Sequence, residues 1–115
     1  MTTRALIAAS ARPIVLSLLT TGESYGYQNL QRVRLVSGGS LNWSSAMLYP
    51  VLHRLEKEGL IRSEWKPSEE GRMRKYYLLT DLGRRALAAE KRQWFGVHDA
   101  LKKFLAQAEA LASPK

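Results

Sequence analysis

No cysteine occurs among the 115 residues, which excludes disulfides, thiolate catalysis and cysteine-ligated zinc. The absence fits a reducing cytoplasm, where the protein is expected to work. Histidine is nearly as scarce. His53 and His98 fall on separate expected helices, too few and too far apart to hold a metal. Long apolar runs are missing as well: residues 5–9 and 14–19 are apolar, but Arg12 and Pro13 separate them. Neither run approaches the roughly 18 apolar residues of a membrane span. The second continues into what reads as core helix rather than a cleavage site, so no signal peptide is expected. There is no Ser/His/Asp set and no phosphate-binding glycine loop, hence no enzyme and no cofactor is expected. Negative charge is the last shortage. Ten acidic residues face 18 Lys and Arg, a net charge of +8, and such a surplus favours polyanions, nucleic acid first and anionic membranes second. The length suits one domain with one core.

What is present is organised around residues 44–77. Leu48, Val51, Leu52 and Leu55 fall on one helical face. Ser44 or Ser45 offers an N-cap, and Gly59 stands where a left-handed residue closes a helix. That places a helix over residues 45–58, with Pro50 bending rather than breaking its start. Two short segments of period two follow, 60–66 and 74–79, joined by the turn Pro67-Ser68-Glu69-Glu70-Gly71-Arg72. Helix followed by a basic-tipped hairpin is the winged half of a winged helix-turn-helix. Upstream, a helix over residues 4–20 is started or kinked by Pro13. A second covers 25–35 with Ser24 as N-cap. Its periodicity turns Tyr27, Leu30, Val33 and Leu35 inward and Arg32 and Arg34 outward. Gly26 in its first turn costs up to about 1 kcal/mol relative to alanine; close approach of a neighbouring helix or a phosphate would explain it.

From Thr80, a natural N-cap beside Asp81, the chain reads as one helix to about residue 112, with Ser113-Pro114-Lys115 a frayed tail. Leu87, Trp94, Leu101 and Ala108 are spaced by seven, and Val97, Phe104 and Leu111 follow the last three of these by three. Glu90 is the one polar member of this a/d seam. Burying each large apolar side chain is worth about 1.5–3 kcal/mol, so such a seam favours a partner chain, most simply a second copy. The expected architecture is therefore mainly α with a small β-hairpin. Residues 1–79 form a winged helix-turn-helix DNA-binding domain, and 80–115 a C-terminal dimerisation helix.

Three motifs in order carry a resemblance: Tyr25-Gly26-Tyr27; Leu48-Tyr49-Pro50-x-Leu52-x-Arg54-Leu55-x-x-x-Gly59-Leu60; and Gly71-Arg72-x-Arg74-Lys75-Tyr76-Tyr77-x-Leu79-Thr80-x-x-Gly83. Over about residues 12–88 the chain resembles the PadR family of bacterial transcriptional regulators, in particular the smaller subfamily whose single C-terminal helix forms the dimer. Family members often carry Gly-Ser or Gly-Thr where Ala46-Met47 stands, and proline or alanine where Met73 stands. The resemblance implies a homodimer that binds a pseudo-palindromic operator in double-stranded DNA and acts as a repressor. Release by a small planar aromatic effector at the dimer interface is implied with it. Trp94 lies where some members place a ligand-stacking tryptophan, and Phe95, Val97 and Asp99 would extend that pocket.

Each candidate has a plainer reading. The outward row of the third helix, Ser45, Met47, Tyr49, His53, Arg54 and Lys57, would enter the major groove, with Tyr27 beside it. Yet Tyr49 can simply cover the seam between helices, and Arg54 and Lys57 can pair with Glu56 and Glu58. Arg72, Arg74 and Lys75 at the hairpin tip suit phosphate or a minor groove, or merely form a solvated turn. Of Tyr76 and Tyr77, which alternate across a strand, one should be core and the other surface. Trp94 can be seam packing instead of a ligand platform. Two other functions remain: a ligand-sequestering dimer without DNA binding, and a winged-helix module that docks on a protein.

Overall fold

The structure, a computed structural model, describes residues 3–112; the tail at 113–115 lies outside them. The chain runs α1 (Arg4–Leu18), a 3-10 turn (Leu19–Thr21), β1 (Ser24–Tyr25), α2 (Gly26–Val36), α3 (Ser45–Lys57), β2 (Ile61–Pro67), β3 (Met73–Leu79) and α4 (Asp81–Ala112). It is mainly helical, with a winged helix-turn-helix body and a long C-terminal helix, as expected. Pro13 does not start α1, which begins at Arg4 and runs through it. The segment Arg4–Thr21 is long and apolar enough to cross a membrane, but Ala11, Val15, Leu16, Leu18 and Leu19 are buried in the protein core. It is a core helix. Leu48, Leu52 and Leu55 of α3 join them, with Val33, Trp43, Leu60, Ile61 and Tyr77.

The sheet has three strands, not two, in the order β1-β3-β2. Ser24 and Tyr25 pair with Tyr77 and Tyr76, so the hairpin is anchored along its β3 edge and β2 is left outside. This corrects the reading of Ser24 as a helix cap. Ser24 is buried and its hydroxyl donates to Asn29 Oδ1 at 2.5 Å, while Tyr25 takes the N-cap position. Asn29 occupies a fully buried slot on α2, and the buried face becomes Gly26, Asn29 and Val33. Tyr27 and Leu35 consequently point outward, 63% and 80% exposed. Arg32, expected outward, turns back instead. Its Nη1 donates to the Leu18 carbonyl at 2.9 Å and its Nη2 to Thr21 Oγ1 at 3.2 Å, satisfying acceptors at the end of the first helix.

Local signals set the boundaries of α3. Ser44 Oγ accepts from Met47 N at 3.2 Å. At the other end Gly59, with φ +78°, donates to Glu56 O, and Leu60 N donates to Leu55 O, both at 3.0 Å. This is the paired closure of a Schellman turn, and it delivers the chain directly into β2. Seven register pairs, from Ile61↔Leu79 to Pro67↔Met73, carry the hairpin to its tip. Of its two tyrosines, Tyr77 is the core residue and Tyr76 is half-buried.

Where β3 ends, Thr80 ties four segments together. Its N–H donates to the Leu60 carbonyl at 3.1 Å, its hydroxyl donates to the Gly59 carbonyl at 2.7 Å, and the hydroxyl oxygen accepts from Gly83 N at 3.0 Å. Gly83 is pressed against this junction. A β-carbon there would overlap the Leu60 carbonyl and approach Leu79 Cδ1 to 2.7 Å. Beyond it, Ala86 and Leu87 pack on the core and Glu90 Oε1 receives Arg12 Nε at 2.5 Å. From residue 91 onward α4 is exposed, and the molecule extends to 67 Å along its longest axis. Gly83→Ala should destabilise the fold by about 1–3 kcal/mol, the range for overpacking. Gly96→Ala, where a β-carbon meets nothing within 4 Å, should instead stabilise it by up to about 1 kcal/mol. Urea unfolding of the two variants distinguishes them, and equal midpoints would refute the junction's role.

Candidate nucleic-acid interface

One face of the body collects α3, the start of α2 and the hairpin. Along α3, Ser45, Tyr49, His53 and Lys57 recur every four residues and are all exposed, forming a row about 18 Å long at 1.5 Å per residue. Arg54 lies beside it, also exposed. Met47, expected in this row, is half-buried and packs on the core. It stands four residues before Val51 and eight before Leu55, so helical geometry draws it onto their edge of the buried stripe. Tyr49 realises its plainer reading and keeps an open side. Its ring rests on Gly26, where a β-carbon would collide with the hydroxyl, yet 39% of the residue is exposed. The close approach anticipated at Gly26 is therefore to a neighbouring helix.

The charges sort into two groups. Glu56 does not pair with Arg54 or Lys57. It accepts from the Ser63 hydroxyl on β2 and lies 3.9 Å from Lys75 Nζ. Glu58 is held by Arg12 Nη1 at 2.5 Å. Arg54, Lys57 and Arg72 make no ion pair among the described residues, and all three are exposed. Arg74 and Lys75, by contrast, work within the fold. Arg74 stacks over Tyr25 at 4.2 Å from the ring centroid and lies 3.5 Å from Glu70, while Lys75 also sits over the Tyr77 ring at 5.5 Å. Tyr25 meets Tyr76 edge-on at 5.7 Å. Lys66 is paired with Glu23; that hydrogen bond, with the negative charge around it, holds its ammonium protonated above the ordinary lysine range.

Trp65 was not among the expected site residues. It is 65% exposed on β2 and stands in register with Lys75. With Tyr27, Tyr49 and Arg72 it lines a cleft of about 470 Å³ between the hairpin and the helices. The available signal was the alternation Ile61, Ser63, Trp65, which puts the indole on the same hairpin face as the core residue Ile61.

The expected effector residues do not form one pocket within the chain. Trp94 and Val97 lie on the seam, 36% and 54% exposed. Phe95 and Asp99, four residues apart, form a separate row about 100° round the helix from Trp94. A shallow groove along α4 includes Asp99 but not Trp94. On the expected dimer seam, Leu101, Phe104 and Leu111 are 51%, 69% and 79% exposed, and Ala108 is exposed. Leu87 differs, being half-buried against its own core, because the first turns of α4 are held on α1.

Burial pushes the Tyr77 phenol up to about 12, with Tyr49 and Glu56 adding to the effect. A pKa raised from 10.0 on folding means that the folded state binds the extra proton. The stability this group contributes is complete below pH 10 and is lost as pH climbs toward 12. Two units correspond to at most about 2–3 kcal/mol. Denaturant unfolding between pH 9 and about 12 should show this alkaline loss, and Tyr77→Phe should flatten it; an identical limb in the variant would assign the loss elsewhere.

Comparison with known proteins agrees with this architecture. A sequence model described as the transcriptional regulator PadR-like family matches residues 15–89. An uncharacterised protein of Lysinibacillus sphaericus is 32% identical over 92 residues, covering 80% of this chain and 84% of that protein. Among solved structures, a transcriptional regulator from Clostridium thermocellum is similar with a TM-score of 0.82 at 29% identity, covering 90% of this chain and 98% of the other. A PadR family transcriptional regulator from Eggerthella lenta is 35% identical with a TM-score of 0.75, covering 88% and 86% respectively.

Proposed function

The chain belongs to the PadR-like family of transcriptional regulators, and from that premise we propose that it acts in the cytoplasm as a homodimeric, DNA-binding repressor. The observation that carries this reading is the exposed row on α3 with three cations, Arg54, Lys57 and Arg72, that the fold leaves uncompensated. Residues 1–79 serve as the reading unit. The α3 row enters a major groove and the hairpin tip touches the adjacent backbone or minor groove. Tyr27 stands beside the row, and Arg74 and Lys75 exchange their internal partners for phosphate only where the duplex reaches them. Residues 80–115 join two copies through the seam from Trp94 to Leu111. A two-fold dimer reads a pseudo-palindromic operator.

A small planar aromatic effector would bind between the paired C-terminal helices. Trp94 is its platform, and Phe95, Val97 and Asp99 reach it from one or the other copy. By binding one spacing of the reading units better than another, it would weaken DNA binding. The exposed Trp94 supports this, since the body does not need it for packing.

Three uncompensated cations per chain, six per dimer, give an expected slope of log affinity against log salt of about −5. Arg72→Ala should make that slope shallower by about 2 per dimer. A wild-type slope near zero would reject the DNA reading. Phe104→Glu should give a folded monomer by sedimentation at micromolar concentration, and a dimer persisting in that variant would move the interface elsewhere. Fluorescence titration of Trp94 with planar aromatic compounds tests the effector, and Trp94→Ala that stays equally inducible would remove it.

A further inference from the structure

We propose that Trp65 is a direct DNA contact, one that supplies apolar, salt-independent affinity where the hairpin meets the reading helix. The inference rests on the DNA-binding reading above and adds a residue that neither the motifs nor the charge pattern single out.

The hairpin's geometry carries it. Successive side chains on β2 alternate between faces, so Ile61, Ser63 and Trp65 share one. Ile61 is buried in the core, and the Ser63 hydroxyl donates to Glu56 on α3. That face is therefore turned toward the reading helix. Trp65 is the next residue along the same row and lines one cleft with Tyr49 of that helix. It is 65% exposed. Across the cleft stand Tyr27 and Tyr49, 63% and 39% exposed, so three large aromatic residues surround one opening with Arg72 and Lys75 at its rim.

An exposed indole on an edge strand is a liability, because such a strand offers free backbone groups to other chains. The fold does not need it there: Tyr77 and Ile61 already close the sheet's core face. What the opening suits is an anionic strand with apolar edges. Arg74 and Lys75 on its lining are paired within the chain, whereas Arg72 makes no ion pair among the described residues and draws phosphate to the cleft. The indole face then lies against deoxyribose carbons or a thymine methyl, which an ammonium or guanidinium group cannot exploit. A contact of this kind releases no counterions. It leaves the salt dependence untouched, whereas loss of a cation reduces it.

That difference provides the test. The full-length protein and its Trp65→Ala, Trp65→Phe and Arg72→Ala variants are titrated, over a range of salt, against a short duplex enriched by the wild type from a random pool. Trp65→Ala should weaken binding by roughly ten- to hundredfold for each half-site, the worth of burying one large apolar side chain, with an unchanged salt slope. Trp65→Phe should recover part of the loss, and Arg72→Ala should flatten the slope. In a Trp94→Phe background the remaining indoles are Trp65 and the buried Trp43, so added duplex should shield the emission from acrylamide, a neutral quencher. Wild-type affinity in Trp65→Ala, or acrylamide access that the duplex leaves unchanged, overturns this contact while the DNA reading stands. Failure of the wild type to enrich any duplex overturns both.

Discussion

The Leu60 carbonyl is the fixed point of the structure. Thr80 N donates to it and Gly83 leaves it room, while the Thr80 hydroxyl reaches the neighbouring Gly59 carbonyl. Four segments meet there: the end of α3, the start of β2, the end of β3 and the start of α4. Buried carbonyls must be hydrogen-bonded, and here that requirement sets the direction in which the C-terminal helix leaves the body. Arg12 adds a second tie, bridging Glu58 at the end of α3 and Glu90 on α4. Both reinforce one orientation.

Basic residues near the hairpin have two physical roles that composition cannot separate. Arg74, Lys75 and Lys66 are engaged by carboxylates and aromatic rings of their own chain, holding a sheet of only three strands on the helices. Arg54, Lys57 and Arg72 have no such partner among the described residues. A net charge of +8 also counts Arg84, Arg85, Lys91, Arg92, Lys102 and Lys103 on α4, so it does not by itself say how much positive charge this face offers. At this face, the cations without an ion pair among the described residues lie on α3 and at the hairpin tip.

The apolar surface of α4 divides in a similar way at Glu90. Before it, Ala86 and Leu87 pack on the chain's own core. After it, Trp94, Val97, Leu101, Phe104 and Leu111 stay open. A heptad seam looks uniform along a sequence, but the body ends where Arg12 meets Glu90. Only the later turns are left for another chain.

Much of the fold was legible because it is locally encoded. Ser44 and Gly59 bound α3 through backbone hydrogen bonds within a few residues, the 3.6-residue period of Leu48, Leu52 and Leu55 named its buried face, and Thr80 marked the start of α4. The motifs shared with the family pointed to the same architecture. What the sequence could not decide were contacts between segments distant in the chain. The third strand depends on Ser24 meeting Tyr77, and the inward turn of Arg32 on the carbonyl of Leu18. The outward turn of Tyr27 depends on Asn29 filling a core slot. The same holds for which basic side chains are neutralised and for the exposure of Trp65. Caps and periodicity are properties of neighbours along the chain, whereas burial and charge pairing belong to whichever surfaces the folded chain brings together.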